Sequence, residues 1–366
     1  MKVDFNRIAL QEALALVTSV VPSRTPKPIL QCIKIAADKD AVRLYGTDLE
    51  IGIECGVSQV EVHAKGEVVI PADRVAGIVR ESVDEVISVE SVEGTCHIRT
   101  ADSHFTIYSH EASQYPKIPS FDGKADLVIE LGELQEGIEQ TVFAAAKEST
   151  RYALNGILWE VSAKKLILVA TDGRRLARRK LNLLSGPGES GYRIIVPAKT
   201  MSLLDRIGGD EKDKVSVRLV DNQILIGCAN VVVSSNLVEG NFPKYEDIIP
   251  SGYDKKVKFQ TEIALSAVRR AALLTNEDSK GVKVAITADS VVFSCRAPEM
   301  GDAQVDVSVE YKGEPVEIGF NPQFLVDVLR VLKTPEFDME LGQPDRPGLI
   351  KSGASFVYVV MPINLG

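Results

Sequence analysis

The sequence lacks most of the features that usually announce a chemistry or a compartment. No apolar run approaches the ~20 residues that span a bilayer, and the opening Met1-Lys2-Val3-Asp4-Phe5 carries no apolar signal segment. The expectation is a cytoplasmic protein with no membrane partner. The five cysteines (Cys32, Cys55, Cys96, Cys228 and Cys295) are odd in number, scattered, and never form a C-x-x-C pair. That pattern predicts reduced, buried thiols and excludes a disulfide framework. There is no G-x-x-x-x-G-K-[ST] phosphate loop and no H-E-x-x-H metal helix. Histidine stops early: His63, His97, His104 and His110 are followed by none from Glu111 onward. Three of these fall on or beside successive strand segments, so surface positions are expected rather than a metal cluster. No metal, cofactor or catalytic residue is expected. Positive charge is also short, with 42 Lys and Arg against 51 Asp and Glu and a net charge of −9. An acidic body argues against nucleic-acid binding over the whole surface but leaves room for a local basic one.

What the chain does have is repetition. The strand-like Ile33-Lys34-Ile35 returns as Ile157-Leu158-Trp159 and as Val282-Lys283-Val284, offsets of 124 and 125. A proline opening an apolar-periodic segment recurs at Pro71, Pro197 and Pro322, offsets of 126 and 125. A bulky residue followed by proline closes each unit, at Tyr115-Pro116, Phe242-Pro243 and Met361-Pro362. The period is too long for a solenoid and matches a small domain. With 366 residues, three domains follow: 1–122, 126–250 and 251–366, with polar, turn-rich boundaries near Phe121–Asp126 and Pro250–Asp254.

Each unit opens with a strand and a helix, as in Val3-Asp4-Phe5 followed by Leu10, Leu14, Val17 and Val21 at helical spacing. A strand pair follows, Ile29–Ala36 with Ala41–Tyr45 and its two counterparts, and the midpoint proline starts a second helix. Two alternating strands finish the unit. The fold class is α+β, with two helices packed on antiparallel sheets in each repeat.

Five ordered motifs carry a resemblance. They are Gly46-Thr47-Asp48-Leu49-Glu50, Arg151-Tyr152-Ala153-Leu154-Asn155-Gly156, Ala170-Thr171-Asp172-Gly173-Arg174-Arg175-Leu176-Ala177, Phe242-Pro243-Lys244-Tyr245 and Tyr358-Val359-Val360-Met361-Pro362. On a triplicated chain of this length they resemble the bacterial sliding clamp, the beta subunit of DNA polymerase III, over essentially the whole sequence. The resemblance implies three clamp-type domains per chain and a head-to-tail homodimer closed as a ring. It also implies a non-catalytic processivity factor that encircles double-stranded DNA without reading its sequence and tethers the replicative polymerase.

The basic residues of the expected helices fit that role: Arg7, Arg74 and Arg80; Lys147, Lys199 and Arg206; Arg269, Arg270, Arg330 and Lys333. Recurring in all six helices, they would meet phosphates without touching base edges, which sliding requires. The resemblance adds Arg24, Lys27 and Tyr152 as DNA contacts. It also implies a cleft for short linear motifs of the polymerase III alpha subunit, the clamp-loader delta subunit and repair proteins. Carried over by motif, its wall is Leu154, Thr171, Gly173, Arg174, Arg175, Leu176, Pro243 and Ile248, faced by Pro347, Val359, Met361, Pro362 and the tail Ile363-Asn364-Leu365. Arg174 stands where many members have histidine, and Asp247 where some have arginine. Ring closure would pack Phe105 and Ile107 on Leu273 and Leu274, with Glu299 and Asp302 opposite Arg74. Two other readings compete. A static multidomain scaffold shares the repeats and the groove but needs no basic helices. An enzyme would need a site such as paired Asp48 and Asp172, which sit at equivalent turns of different domains.

Overall fold

The computed structural model describes residues 1–147, 150–188, 191–275, 281–298 and 300–365. One element order runs through it three times. The first run is β1 (Lys2–Asn6), α1 (Arg7–Thr18), β2 (Cys32–Asp38), β3 (Ala41–Thr47), β4 (Ile51–Val57), β5 (Val60–Ala64), β6 (Gly66–Pro71), α2 (Ala72–Glu81), β7 (Val86–Val92), β8 (Thr95–Arg99) and β9 (His104–Tyr108). The second is β10 (Leu127–Glu130), α3 (Leu131–Glu139), β11 (Gly156–Val161), β12 (Lys165–Thr171), β13 (Arg175–Asn182), β14 (Tyr192–Pro197), α4 (Ala198–Leu204), β15 (Lys214–Val220), β16 (Gln223–Cys228) and β17 (Val231–Asn236). The third is β18 (Lys255–Gln260), α5 (Thr261–Ala271), β19 (Val282–Ile286), β20 (Ser290–Ala297), β21 (Gly301–Ser308), β22 (Val316–Phe320), α6 (Pro322–Val331), β23 (Glu336–Leu341), β24 (Gly348–Ser352) and β25 (Phe356–Val360). Only β5 lacks a counterpart among the described residues.

Local chemistry explains the helix starts. The Asn6 side chain accepts hydrogen bonds from the N–H groups of Ile8 and Ala9, both at 3.1 Å, capping α1. Asn321 caps α6 in the same way, and Pro322 is its first residue. Pro71 and Pro197 differ from the expected pattern: each is the last residue of a strand, and the helix starts one residue later. Buried Leu10, Ala13, Leu14 and Val17 form the inner face of α1, as the spacing predicts. The expected strand Ile29–Ala36 begins as a 3₁₀ turn, Pro28–Gln31, before β2.

The described residues fall into two compact units. The first comprises Met1–Glu133, Leu183–Pro187 and Lys199–Leu237. It holds a five-stranded sheet ordered β5-β1-β7-β8-β9 and an eight-stranded sheet ordered β10-β15-β16-β17-β4-β3-β2-β6. The second comprises Leu134–Asn182, Gly188–Ala198 and Val238–Gly366. It holds an eight-stranded sheet ordered β14-β11-β12-β13-β25-β24-β23-β18 and a four-stranded sheet ordered β21-β20-β19-β22.

Each eight-stranded sheet is sewn from two runs by one seam. The last strand of the second run, β17, pairs with β4 of the first, Val231 opposite Cys55 and Ser235 opposite Ile51. The last strand of the third run, β25, pairs with β13 of the second, Val360 opposite Arg175 and Phe356 opposite Arg179. Both ladders are antiparallel and use equivalent strands. The strands that would repeat the seam a third time, β9 and β21, are sheet edges.

The cores are apolar, with Phe5, Trp159, Phe320, Phe356 and Tyr358 among the largest fully buried side chains. All five cysteines are buried and unpaired. Burial pushes the thiols of Cys32 and Cys55 up to about 11 and that of Cys96 to about 12, so none of the three is a reactive thiolate near neutral pH.

Candidate groove and basic surface

The turn between β12 and β13 is held by its own side chains. Thr171 Oγ1 donates to Arg175 O at 2.7 Å and accepts from Gly173 N–H at 3.1 Å. Asp172 Oδ1 accepts from the N–H groups of Arg174 and Arg175, at 2.9 and 3.0 Å. The turn between β3 and β4 repeats this bond for bond. Thr47 Oγ1 donates to Ile51 O at 2.8 Å and accepts from Leu49 N–H at 2.9 Å, and Asp48 Oδ1 accepts from Glu50 and Ile51. Both turns need a positive φ at the third residue, +85° at Gly173 and +78° at Leu49. Asp48 and Asp172 are thus turn residues in separate units, each occupied by backbone donors.

Arg175 begins β13, and its guanidinium is fully engaged. Nε lies 3.1 Å from Asp172 Oδ2, one terminal nitrogen 2.6 Å from Asp327 Oδ2, and the other donates to Phe143 O at 2.7 Å. The cation also lies 4.4 Å from the centre of the Phe324 ring and 5.4 Å from that of Phe143. Burial alone would lower its pKa, but Asp327 and Asp172 raise it above the usual value, so the charge is fixed. Arg175 is a strut tying the turn to α6 and to the segment after α3. The accessible cation here is Arg174, whose carbonyl accepts from Met361 N–H at 2.9 Å. Apart from Asp172, the residues that hold Arg175 were invisible to motif reading. Asp327 and Phe324 lie on α6, where they pass as ordinary helix positions.

The remaining wall residues divide into a base and a rim. Leu154, Thr171, Leu176 and Val359 are buried, the last two at 1 % exposure, and Leu176 and Val359 face each other across the seam. Leu176 and Val359 belong to a cluster with Leu158, Val169, Ile195, Tyr245, Leu349 and Val357. Ile248 (40 %), Met361 (39 %) and Leu365 (43 %) remain exposed, with Gly173, and Pro243, Pro347 and Pro362 are half-buried. The tail turns along the four-stranded sheet: Ile363 N–H donates to Gly319 O at 2.8 Å. A Cβ on Gly281 or Gly319 would strike Leu365 at 2.2 or 2.5 Å, so these glycines make room for it. Asp247 is exposed in the short 3₁₀ turn Tyr245–Ile248.

The basic residues distribute less evenly than expected. Arg74 and Arg80 lie exposed on α2, Lys199 on α4, Arg269 and Arg270 on α5, and Arg330 on α6. Helix α3 carries no basic residue at all. It ends at Glu139, where Gln140 turns to donate to Val331 O and Thr141 Oγ1 donates back to Gly137 O. Lys147 therefore lies beyond the helix, exposed in a loop, and the expected recurrence in all six helices is corrected to five. Arg206 and Lys333 also fall just past their helices. Several of these charges are already paired: Arg7 is half-buried against Asp84 O, Lys199 lies 2.5 Å from Asp48, and Lys333 lies 3.0 Å from Glu139. Arg24, Lys27 and Tyr152 (73 % exposed) are accessible.

At the candidate interface, Phe105 (39 % exposed) and half-buried Ile107 lie on the edge strand β9. Leu273 (74 % exposed) and Leu274 form the 3₁₀ turn that ends α5. Asp302 is exposed on the edge strand β21, Arg74 lies 3.6 Å from its neighbour Asp73, and Glu299 lies outside the described residues. Histidines stay at the surface or half-buried. His97 Nδ1 lies 3.1 Å from His104 Nε2, and His63 pairs with Asp4 at 2.9 Å beside Glu61, an exposed cluster able to offer ligands to a metal.

Three runs of one strand–helix unit, joined by two equivalent antiparallel seams, define a three-domain DNA-clamp fold. Models of the DNA polymerase III beta subunit match consecutively: its N-terminal domain over residues 1–119, its central domain over 128–244 and its C-terminal domain over 246–364. The chain belongs to this family, the beta sliding clamps, and is a non-catalytic processivity factor of DNA polymerase III. It is 33 % identical to the beta sliding clamp of Pseudomonas putida over 370 residues, covering all of both chains. The Bacillus subtilis beta sliding clamp is 30 % identical over 377 residues, again end to end. Among solved structures, the sliding clamp of B. subtilis superimposes with a TM-score of 0.92 at 29 % identity, covering 100 % of this chain and 99 % of the other. The beta subunit of Pseudomonas aeruginosa superimposes with a TM-score of 0.90 at 31 % identity, covering all of both. No helix among the described residues is long and apolar enough to cross a membrane.

Proposed function

We propose that two copies of this chain close head-to-tail into a ring around duplex DNA and hold polymerases and repair proteins by short peptides in the β13–β25 groove. The observation that carries ring closure is the twice-used seam. A last strand pairs with the strand after the Thr-Asp turn in β17–β4 and again in β25–β13. Applied a third time, the rule pairs β9 of one chain with β21 of another, the two equivalent edges left open. Phe105 and Ile107 meet Leu273 and Leu274 beside that seam, and Arg74 meets Asp302 at its rim, where an exposed pair sets register more than strength.

Arg24, Lys27, Arg74, Arg80, Lys147, Tyr152, Lys199, Arg206, Arg269 and Arg330 face the DNA. The accessible ones among them offer exchangeable phosphate contacts, while Lys199, held by Asp48, contributes least. In the groove, Leu176 and Val359 form the floor, Ile248, Met361 and Pro362 the adaptable rim, and Arg174 an exposed cation for an acidic side chain of the peptide. The polymerase III alpha subunit and the clamp-loader delta subunit are the expected competitors. The three domains divide at 1–122, 126–250 and 251–366, and the protein works in the cytoplasm.

The test is retention on nicked circular DNA after loading by the matching loader and ATP. Protein that stays on circles and leaves once the DNA is linearised is held by topology. Equal retention on both forms would replace the ring by a static contact scaffold.

A further inference from the structure

The internal repeat lets one place in the chain be compared with its own counterpart. In the second unit, Arg179 on β13 spans from α3 to the turn before β25. Its guanidinium lies 3.0 Å from Glu136 Oε1 and donates to Ser355 Oγ at 2.7 Å, and the side chain is only 12 % exposed. Leu332, two residues past Arg330, is 8 % exposed, and the next residue, Lys333, pairs with Glu139. Arg179 and Leu332 occupy this place.

The first unit builds the same frame. Gly56 N–H donates to Asn230 O at 2.8 Å, as Lys180 N–H donates to Ser355 O at 2.9 Å. Cys55 faces Val231 across its seam as Arg179 faces Phe356 across the other. Glu12 and Glu136 stand at the same position in α1 and α3, and Arg206 and Arg330 at the same distance from the starts of α4 and α6. What differs is bulk: Cys55 replaces Arg179, Gly208 replaces Leu332 and Gly209 replaces Lys333. A cavity of about 590 Å³ opens in their place, lined by Ala9, Glu12, Ala13 and Leu16 of α1 with Cys55 and Asn230. Among the described residues, Glu12 is exposed with no hydrogen-bond or ion-pair partner. The Asn230 amide nitrogen donates to Gly56 O, which leaves its oxygen as an acceptor.

We propose that this cavity receives an arginine side chain presented by a partner protein. The stem lies along Ala9, Ala13 and Leu16, and the guanidinium donates to Glu12 and Asn230 Oδ1, as Arg179 does to Glu136 and Ser355. Arg206, also in the lining, stands at the position that Arg330 holds after the start of α6. A lysine fits less well, since a single ammonium cannot present a planar fork to two separated acceptors. The volume exceeds one side chain, so residues flanking the arginine enter as well. This site is separate from the β13–β25 groove and shares Arg206 with the surface proposed above to face the DNA.

The test uses the full chain and an acetylated Ala-Arg-Leu-Ala amide, with citrulline replacing arginine in a control, followed by calorimetry. The arginine peptide should bind once per chain and the citrulline peptide at least tenfold more weakly. Glu12→Gln should weaken binding at least tenfold. Gly208→Leu should abolish it, and the added Cβ meets nothing within 4 Å, so the fold tolerates the change. Cys55→Arg should fill the cavity from within, abolish binding and raise the melting temperature, a gain that Glu12→Ala removes. No binding to the wild-type chain, equal binding of citrulline, or unimpaired binding to Gly208→Leu would each overturn the proposal. None of these readouts involves DNA retention, so the site and the ring reading fail separately.

Discussion

Leu49 holds a backbone conformation that its own side chain disfavours. Its φ of +78° is the left-handed value that the equivalent turn gives to Gly173 at +85°, and the surrounding Thr47 and Asp48 hydrogen bonds brace it there. Leu49→Gly should therefore raise stability by about 0.5–1 kcal/mol in urea unfolding, while Gly173→Ala should lower it by about as much. Arg175 is a larger stake. Its side chain is 11 % exposed and paired with the half-buried Asp327, so Arg175→Ala leaves that carboxylate with only its Gln323 hydrogen bond and should cost about 2 kcal/mol. Arg175→Lys should recover little, because one ammonium cannot serve Asp172, Asp327 and the Phe143 carbonyl together. Glu340 sets an acid limit. Burial pushes its carboxyl up, but Lys351 and Lys256 outweigh that and hold it below the usual carboxylate value. A depressed folded value means the contribution is present above about pH 4.3 and is lost as pH falls through the folded value. The stability gap between wild type and Glu340→Gln should thus shrink on acidification below about pH 4.3, as urea melts across that range would register.

Among the elements, those with a period of their own were legible from sequence. The apolar stripe of α1, the Thr-Asp turns and the strand pairs all follow from residue spacing, and so does the triplication. The early end of α3 was not, because it depends on where Gln140 and Thr141 find acceptors rather than on propensity. Nor could alternation reveal the seams: a strand pattern says which face is buried, not which edge it joins. The two seams also differ in a way only packing shows. Where the second has Leu176 opposite Val359, the first has Gly52 opposite Ser234. A Cβ on Gly52 would lie 2.7 Å from Ser234 Oγ and 2.8 Å from Ile118. The chain's own Ile118 thus packs over Gly52 in the first seam, as Tyr245 packs in the cluster of Leu176 and Val359 in the second. Gly52→Leu should cost about 2 kcal/mol by overpacking, measured as a lowered denaturation midpoint. The second seam already carries a leucine, Leu176, at the corresponding position.

At the scale of the whole molecule, sedimentation at micromolar concentration should give twice the chain mass, and Leu273→Ala with Leu274→Ala should reduce it to one chain. Polar replacement of Met361 and Leu176 should remove peptide binding and leave that mass unchanged; loss of both together would mean the groove is misplaced. The sequence bounded these outcomes through motif and repeat, while the strand order supplied the reason to propose closure. The seam also has a mechanical consequence. Strands parted at β17–β4 or β25–β13 stay leashed by the polypeptide and rejoin at the roughly millimolar effective concentration of a short tether. Strands parted between chains must find each other by diffusion and bear the full loss of translational freedom on return. A closed ring of such units therefore has a built-in fuse: under strain it gives way where two chains meet, and its internal joints heal before they can fail.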